Sequence, residues 1–168
     1  ALSGIVGILV YPGFSIYILA WFFLIPFYYA LSRASTWRMV VWCTFAFAFP
    51  WYYGIFWWLN TLTVFNPFIP LGILIMPIIG MVWMLLFSLP TAWVMRHSPI
   101  WQRPFWTAAI WVGFEQTHLI GDLAFPWNFL GHSLAVPPML SIAQWAAAGG
   151  VGLLSFFIAL TNASLANM

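Results

Sequence analysis

Two stretches, Met39 to Leu59 and Leu71 to Met95, pass without a single charged side chain. A helix of about 20 apolar residues, rising about 1.5 Å per residue, matches a hydrocarbon core of about 30 Å, so each stretch has the length of a membrane span. Charge is as sparse elsewhere: 4% of the 168 residues are charged and 65% are apolar. Soluble domains carry roughly 25% charged residues, and so thin a polar cover cannot coat a globule in water. The sequence therefore predicts an all-α membrane protein, one polytopic domain over residues 1–168, with about six spans near 2–11, 14–31, 39–59, 71–95, 105–120 and 139–165.

The breaks fall at Pro, Gly and Arg. The first run stops at Pro12-Gly13 and is too short to cross a bilayer, so it reads as the tail of a truncated span. The chain opens at Ala1 without a basic segment, which gives no intact signal peptide. In the second run Pro26 is expected to kink a helix whose freed carbonyl neighbouring helices can satisfy. The last run holds Ala146 to Gly150, small residues that favour close helix contact.

All four Arg residues, Arg33, Arg38, Arg96 and Arg103, lie in two alternate connections. The positive-inside rule then places both connections on the cytoplasmic side, and residues 60–70 and 121–138 on the other. The net charge of +2 is no nucleic-acid signal, because there is no Lys and the Arg residues form two separated pairs. The single cysteine, Cys43, excludes an internal disulfide or a CxxC site and is expected to pack as a small apolar residue.

Chemistry concentrates after residue 110. Glu115, His118 and Asp122 stand at i, i+3 and i+7, on one face of the fifth helix if it continues that far. Ionisable groups in a span face a partner or a wet cavity, so the three form either a polar niche for a lipid headgroup or a set of internal contacts in which Glu115 and His118 satisfy each other. Three ligands on one helix leave a metal site incomplete. His118 and His132 are the candidate ligands for a pigment such as haem or chlorophyll, whereas His97, beside Arg96, reads as an interfacial residue. The run Phe125-Pro126-Trp127 is either an element shaping a lipid entrance or a turn anchored by Trp at headgroup level.

Several short motifs point to one family. The segment Ala109 to Glu115 is followed by Phe125-Pro126-Trp127 and then Gly131-His132-Ser133; upstream stand Tyr11-Pro12-Gly13-Phe14 and Gly54-Ile55-Phe56-Trp57, and downstream Gly150 to Ala163. Together they resemble the membrane domain of apolipoprotein N-acyltransferase. Departures stand at His118, His132 and Leu134, where that family has Arg, Tyr and Gln. The resemblance implies a bacterial inner-membrane protein that handles phospholipid. It also implies that acyl transfer belongs to a nitrilase-like domain with a Glu, Lys and Cys triad, for which these 168 residues offer no Lys and only Cys43. Two functions are thus expected: a non-catalytic membrane subunit packing against lipid and other integral membrane proteins, or a fragment of an active acyltransferase. A pigment-binding subunit is a third.

Overall fold

The computed structural model describes residues 1–11, 13–121 and 126–168, with Pro126 through its backbone alone. The regular structure among them is helical, with no strand. The α-helices are α1 (Leu2–Ile8), α2 (Ile25–Arg33), α3 (Trp37–Phe56), α4 (Ile69–His97), α5 (Arg103–Thr117), α6 (Leu140–Ala143) and α7 (Ala146–Ala166). Turns of 3₁₀ helix at Tyr17–Trp21, Trp57–Val64, Pro126–Asn128, Leu130–Leu134 and Pro137–Met139 link them.

Among the described residues three segments are long and apolar enough to cross a membrane: Trp37–Val64, Ile69–His97 and Ala146–Ala166. They coincide with the apolar runs 39–59, 71–95 and most of 139–165. The remaining runs are shorter or broken. Run 2–11 holds a seven-residue helix, and run 105–120 yields α5 of 15 residues. Run 14–31 is not one kinked helix. It divides into the 3₁₀ turn Tyr17–Trp21 and α2, and Pro26 sits in the first turn of α2, where its missing N–H costs nothing. Proline here starts a helix rather than bending one.

The break at residues 22–24 is closed by one buried side chain from α7. The Asn162 Oδ1 accepts from the Leu24 N–H at 3.0 Å, and its Nδ2 donates to the Ala20 carbonyl at 2.8 Å and to Ile158 O at 2.9 Å. With no water at that depth, backbone groups freed by a helix break must be satisfied by protein. Run 139–165 is also divided, into the turn Pro137–Met139, α6 and α7. Within α7 the backbone leaves helical geometry at Gly149 and Gly150. The latter has φ 68° and ψ −178°, a combination open essentially to glycine alone.

Helix α3 packs along α4, α5 lies against both α4 and α7, and α1 against α3. Small residues set these distances. A Cβ on Gly4 would strike the Phe47 carbonyl, and one on Gly80 would enter the Tyr52 ring, so α1 and α4 reach α3 only through glycine. Between the helices the core is aromatic. Phe27 stacks on Phe47 at 4.2 Å between centroids, and Phe87 meets Trp111 edge-on at 4.8 Å, contacts worth about 0.5–1.5 kcal/mol each beyond area burial. Cys43 is half-buried and packs against this core.

The Arg residues gather at one end of the bundle. Arg96, in the last turn of α4, donates from its guanidinium to Ser35 O, between α2 and α3, at 3.2 Å, while Arg103 donates to Ser98 O at 3.0 Å. The alternation read from the sequence thus becomes a spatial grouping. His97 is exposed there, stacked on Trp93.

Candidate functional site: a loop held inside the bundle

At the end of the bundle away from the Arg residues, the chain from Trp127 to Leu134 folds back between the helices. Asn128, Phe129, Leu130, Ser133 and Leu134 are all buried. So polar a backbone needs partners in an apolar surrounding, and two helices supply them. Glu115, on the last turn of α5 and 2% exposed, accepts the Leu130 N–H at 2.6 Å and the Trp111 indole N–H at 2.8 Å on the same oxygen, Oε1. Ser155, on α7, accepts the Gly131 N–H at 2.8 Å. The Glu115 Oε2 has no hydrogen bond among the described residues, and Ser155 lies beside the carboxylate. Gly131 completes the fit, since a Cβ there would collide with the Val151 carbonyl.

His118 caps α5 and sits in an aromatic cage. Trp83 lies parallel to its ring at 5.0 Å and Phe114 meets it edge-on at 4.7 Å. Its Nδ1 faces the Phe114 carbonyl at 3.2 Å and its Nε2 faces the Tyr52 hydroxyl at 3.5 Å. A carbonyl can only accept, so Nδ1 carries the proton and the Nε2 of a neutral ring accepts from Tyr52. Thr117 links the same layer, taking the Trp83 indole N–H at 2.6 Å. Nearby, the Tyr11 hydroxyl donates to the Asn128 carbonyl at 2.8 Å and ties the end of the first run to the loop.

Glu115 and His118 therefore belong to one buried layer without satisfying each other. Glu115 turns toward the loop, His118 toward α3 and α4. Helix α5 ends at Thr117 and does not reach residue 122, the backbone turning at Gly121 with φ 80°. Asp122 and Phe125 lie outside the described residues, and of Pro126 only the backbone is described. Trp127 is half-exposed, its ring 5.3 Å from Trp58. His132 stacks on Phe129 at 5.6 Å and lines an open groove of about 750 Å³ between α5 and the bent start of α7, with Gln116, Gly150 and Phe156. Among the described residues no group of three His, Cys, Asp or Glu side chains is placed to hold a metal ion.

Ser155, Asn162, Tyr52 and Trp83 were not among the residues singled out from the sequence. For two of them a signal existed. Ser155 and Asn162 are i and i+7 on α7, polar positions repeating on one face of an apolar helix.

The profile of the family described as apolipoprotein N-acyltransferase N-terminal domain matches residues 3–164. A relative named apolipoprotein N-acyltransferase, from Pseudomonas putida, is 29% identical over 177 aligned residues, covering 99% of this chain and 33% of the relative's length. No solved structure matches the chain. With a helical membrane architecture and a family match over residues 3–164, the chain belongs to the apolipoprotein N-acyltransferase family through its N-terminal membrane domain.

Proposed function

We propose that this chain is the non-catalytic, membrane-embedded part of an apolipoprotein N-acyltransferase, and that its task is to hold the segment 126–134 in a fixed place at one membrane surface. The observation that carries this reading is the grip of Glu115 on the Leu130 N–H, seconded by Ser155 on Gly131. A bilayer protein rarely retains an ionisable residue in a span without a use for it, and here the use is to shape a loop. Acyl transfer through an enzyme nucleophile requires a nucleophile and a base within reach. Cys43 lies on α3, toward the Arg-bearing end, and Glu115 near the opposite end of α5, so the two do not make such a pair; in this reading the transfer step belongs to the part of the enzyme that corresponds to the other two thirds of the relative. In this reading phospholipid occupies the groove between α5 and α7, and the exposed apolar side of α4 meets lipid or other integral membrane proteins. The membrane is the bacterial inner membrane, with the Arg end cytoplasmic. Pigment ligation by His118 has less support, because both its ring nitrogens already face protein atoms.

The test is a chimera. This chain replaces the matching third of the Pseudomonas putida enzyme, and lipoprotein N-acylation is measured in membranes. Activity in the chimera, lost with Glu115→Leu and kept with Cys43→Ala, is the expected result. A chimera that inserts stably yet transfers nothing overturns the reading, as does acylation by the 168-residue chain alone.

A further inference from the structure

Three of the four arginines stand at or against the short connection between α2 and α3, and among the described residues no carboxylate pairs with them. Arg33 closes α2 and Arg38 opens α3, with only residues 34–36 between the two helices. Arg96 arrives from α4 and bonds the carbonyl of Ser35, the middle residue of that connection. Its Nε is held by the Ala92 carbonyl at 2.9 Å, which fixes the head against α4. Arg33 and Arg38 lean over the rings of Tyr29 and Trp37, at 5.4 and 5.5 Å from their centroids, and remain exposed. Of the chain's two acids, Glu115 is buried near the opposite end of α5, and Asp122 follows it in sequence. Exposed Trp37, Trp42 and Trp93 stand within about one helical turn of Arg38 or Arg96 along α3 and α4, as Trp does at the headgroup level of a bilayer.

We infer that Arg33, Arg38 and Arg96 form a binding site for the phosphate of an anionic phospholipid. Three elements bring three permanent charges to one patch at the depth of the headgroups, and basic pockets between membrane helices select anionic lipids in this way. Guanidinium suits the task because its planar fork can bond two phosphate oxygens at once. The tryptophans flanking the site give the acyl chains of the same lipid an apolar wall. A free phosphate would satisfy the charge and leave that wall unused.

The experiment reads lipid retention by native mass spectrometry of the intact chain, extracted from bilayers of phosphatidylcholine mixed with phosphatidylglycerol of matched acyl chains. The wild type should retain phosphatidylglycerol in preference. The preference should fall about fivefold for each charge removed in Arg33→Gln and Arg38→Gln, and Arg33→Lys with Arg38→Lys, which keep the charge without the fork, should restore only part of it. Both side chains rest on exposed rings, so thermal unfolding should stay at the wild-type midpoint. Arg103→Gln removes the same net charge outside the cluster and should leave the preference in place. Equal retention of the two lipids overturns the inference. So does an equal loss in Arg103→Gln, which would mark a diffuse charge effect, and so does full displacement of phosphatidylglycerol by millimolar inorganic phosphate, which would mark a site for the free anion.

Discussion

Replacing Asn162 by Leu should unlock the junction between the turn Tyr17–Trp21 and α2 without touching any loop or surface. The side chain is fully buried and makes three hydrogen bonds. The one to Ile158 O is dispensable, since that carbonyl keeps its own helical partner four residues on. The other two are not replaceable. Leu leaves the Leu24 N–H and the Ala20 carbonyl without partners in a dry interior, at about 1–3 kcal/mol each. Membrane helix hydrogen bonds measured by double-mutant cycles are worth less, about 0.6 kcal/mol on average, because the unfolded chain in lipid finds other partners. A break in a helix cannot re-satisfy itself, so the larger figure applies to both groups and the expected loss is about 2–6 kcal/mol. Unfolding by a graded denaturing detergent, followed by circular dichroism in mixed micelles, measures it. Thr161→Val is the reference, because its hydroxyl bonds only Phe157 O at the exposed face. If Asn162→Leu falls within about 0.5 kcal/mol of Thr161→Val, the junction is held by something else and the reasoning fails.

Three further outcomes follow from the buried layer. Glu115→Gln should be mild, because the amide oxygen can still accept from Leu130 and Trp111, whereas Glu115→Leu should cost about 2–4 kcal/mol and expose residues 126–134 to limited proteolysis; equal damage from both would show that charge, not acceptance, matters. Glu115→Leu and His118→Phe should be additive within about 0.5 kcal/mol in a double-mutant cycle, and a larger coupling would show that the two side chains interact after all. Gly80→Ala should destabilise by about 1–3 kcal/mol through overpacking against the Tyr52 ring, and a neutral result in the same unfolding assay would mean that α3 and α4 can part to admit it.

The long helices could be read directly from sequence because lipid removes the ambiguity. Met39 to Leu59 and Leu71 to Met95 admit no structure but helix. The breaks could not be read in the same way. Pro26 is compatible with a kink in one long helix or the start of a short one, and the choice between them rests on Asn162, which lies 136 positions further along the chain, on α7. For the site, rarity of charge pointed to Glu115, and in the structure that residue holds loop backbone. Its partner was hidden, since spacing along a helix suggests His118 and Asp122, while the group it actually holds is the backbone N–H of Leu130. A main-chain donor carries no signature in sequence.

The unequal helices have a consequence for the bilayer itself. Helix α4 has 29 residues and α5, packed beside it, has 15, or about 43 Å against about 22 Å. One side of the bundle overreaches a hydrocarbon core of about 30 Å and the other falls short of it. Lipid cannot match both at once. It must thicken, or α4 must tilt, on one flank, while the leaflets pinch on the other, at fractions of a kcal/mol per Å of mismatch. The short flank is that of α5, whose groove toward the bent start of α7 opens there. If phospholipid occupies that groove as proposed, the short flank brings its headgroup toward the buried layer around Glu115, and the mismatch itself favours drawing a polar group sideways into the bundle.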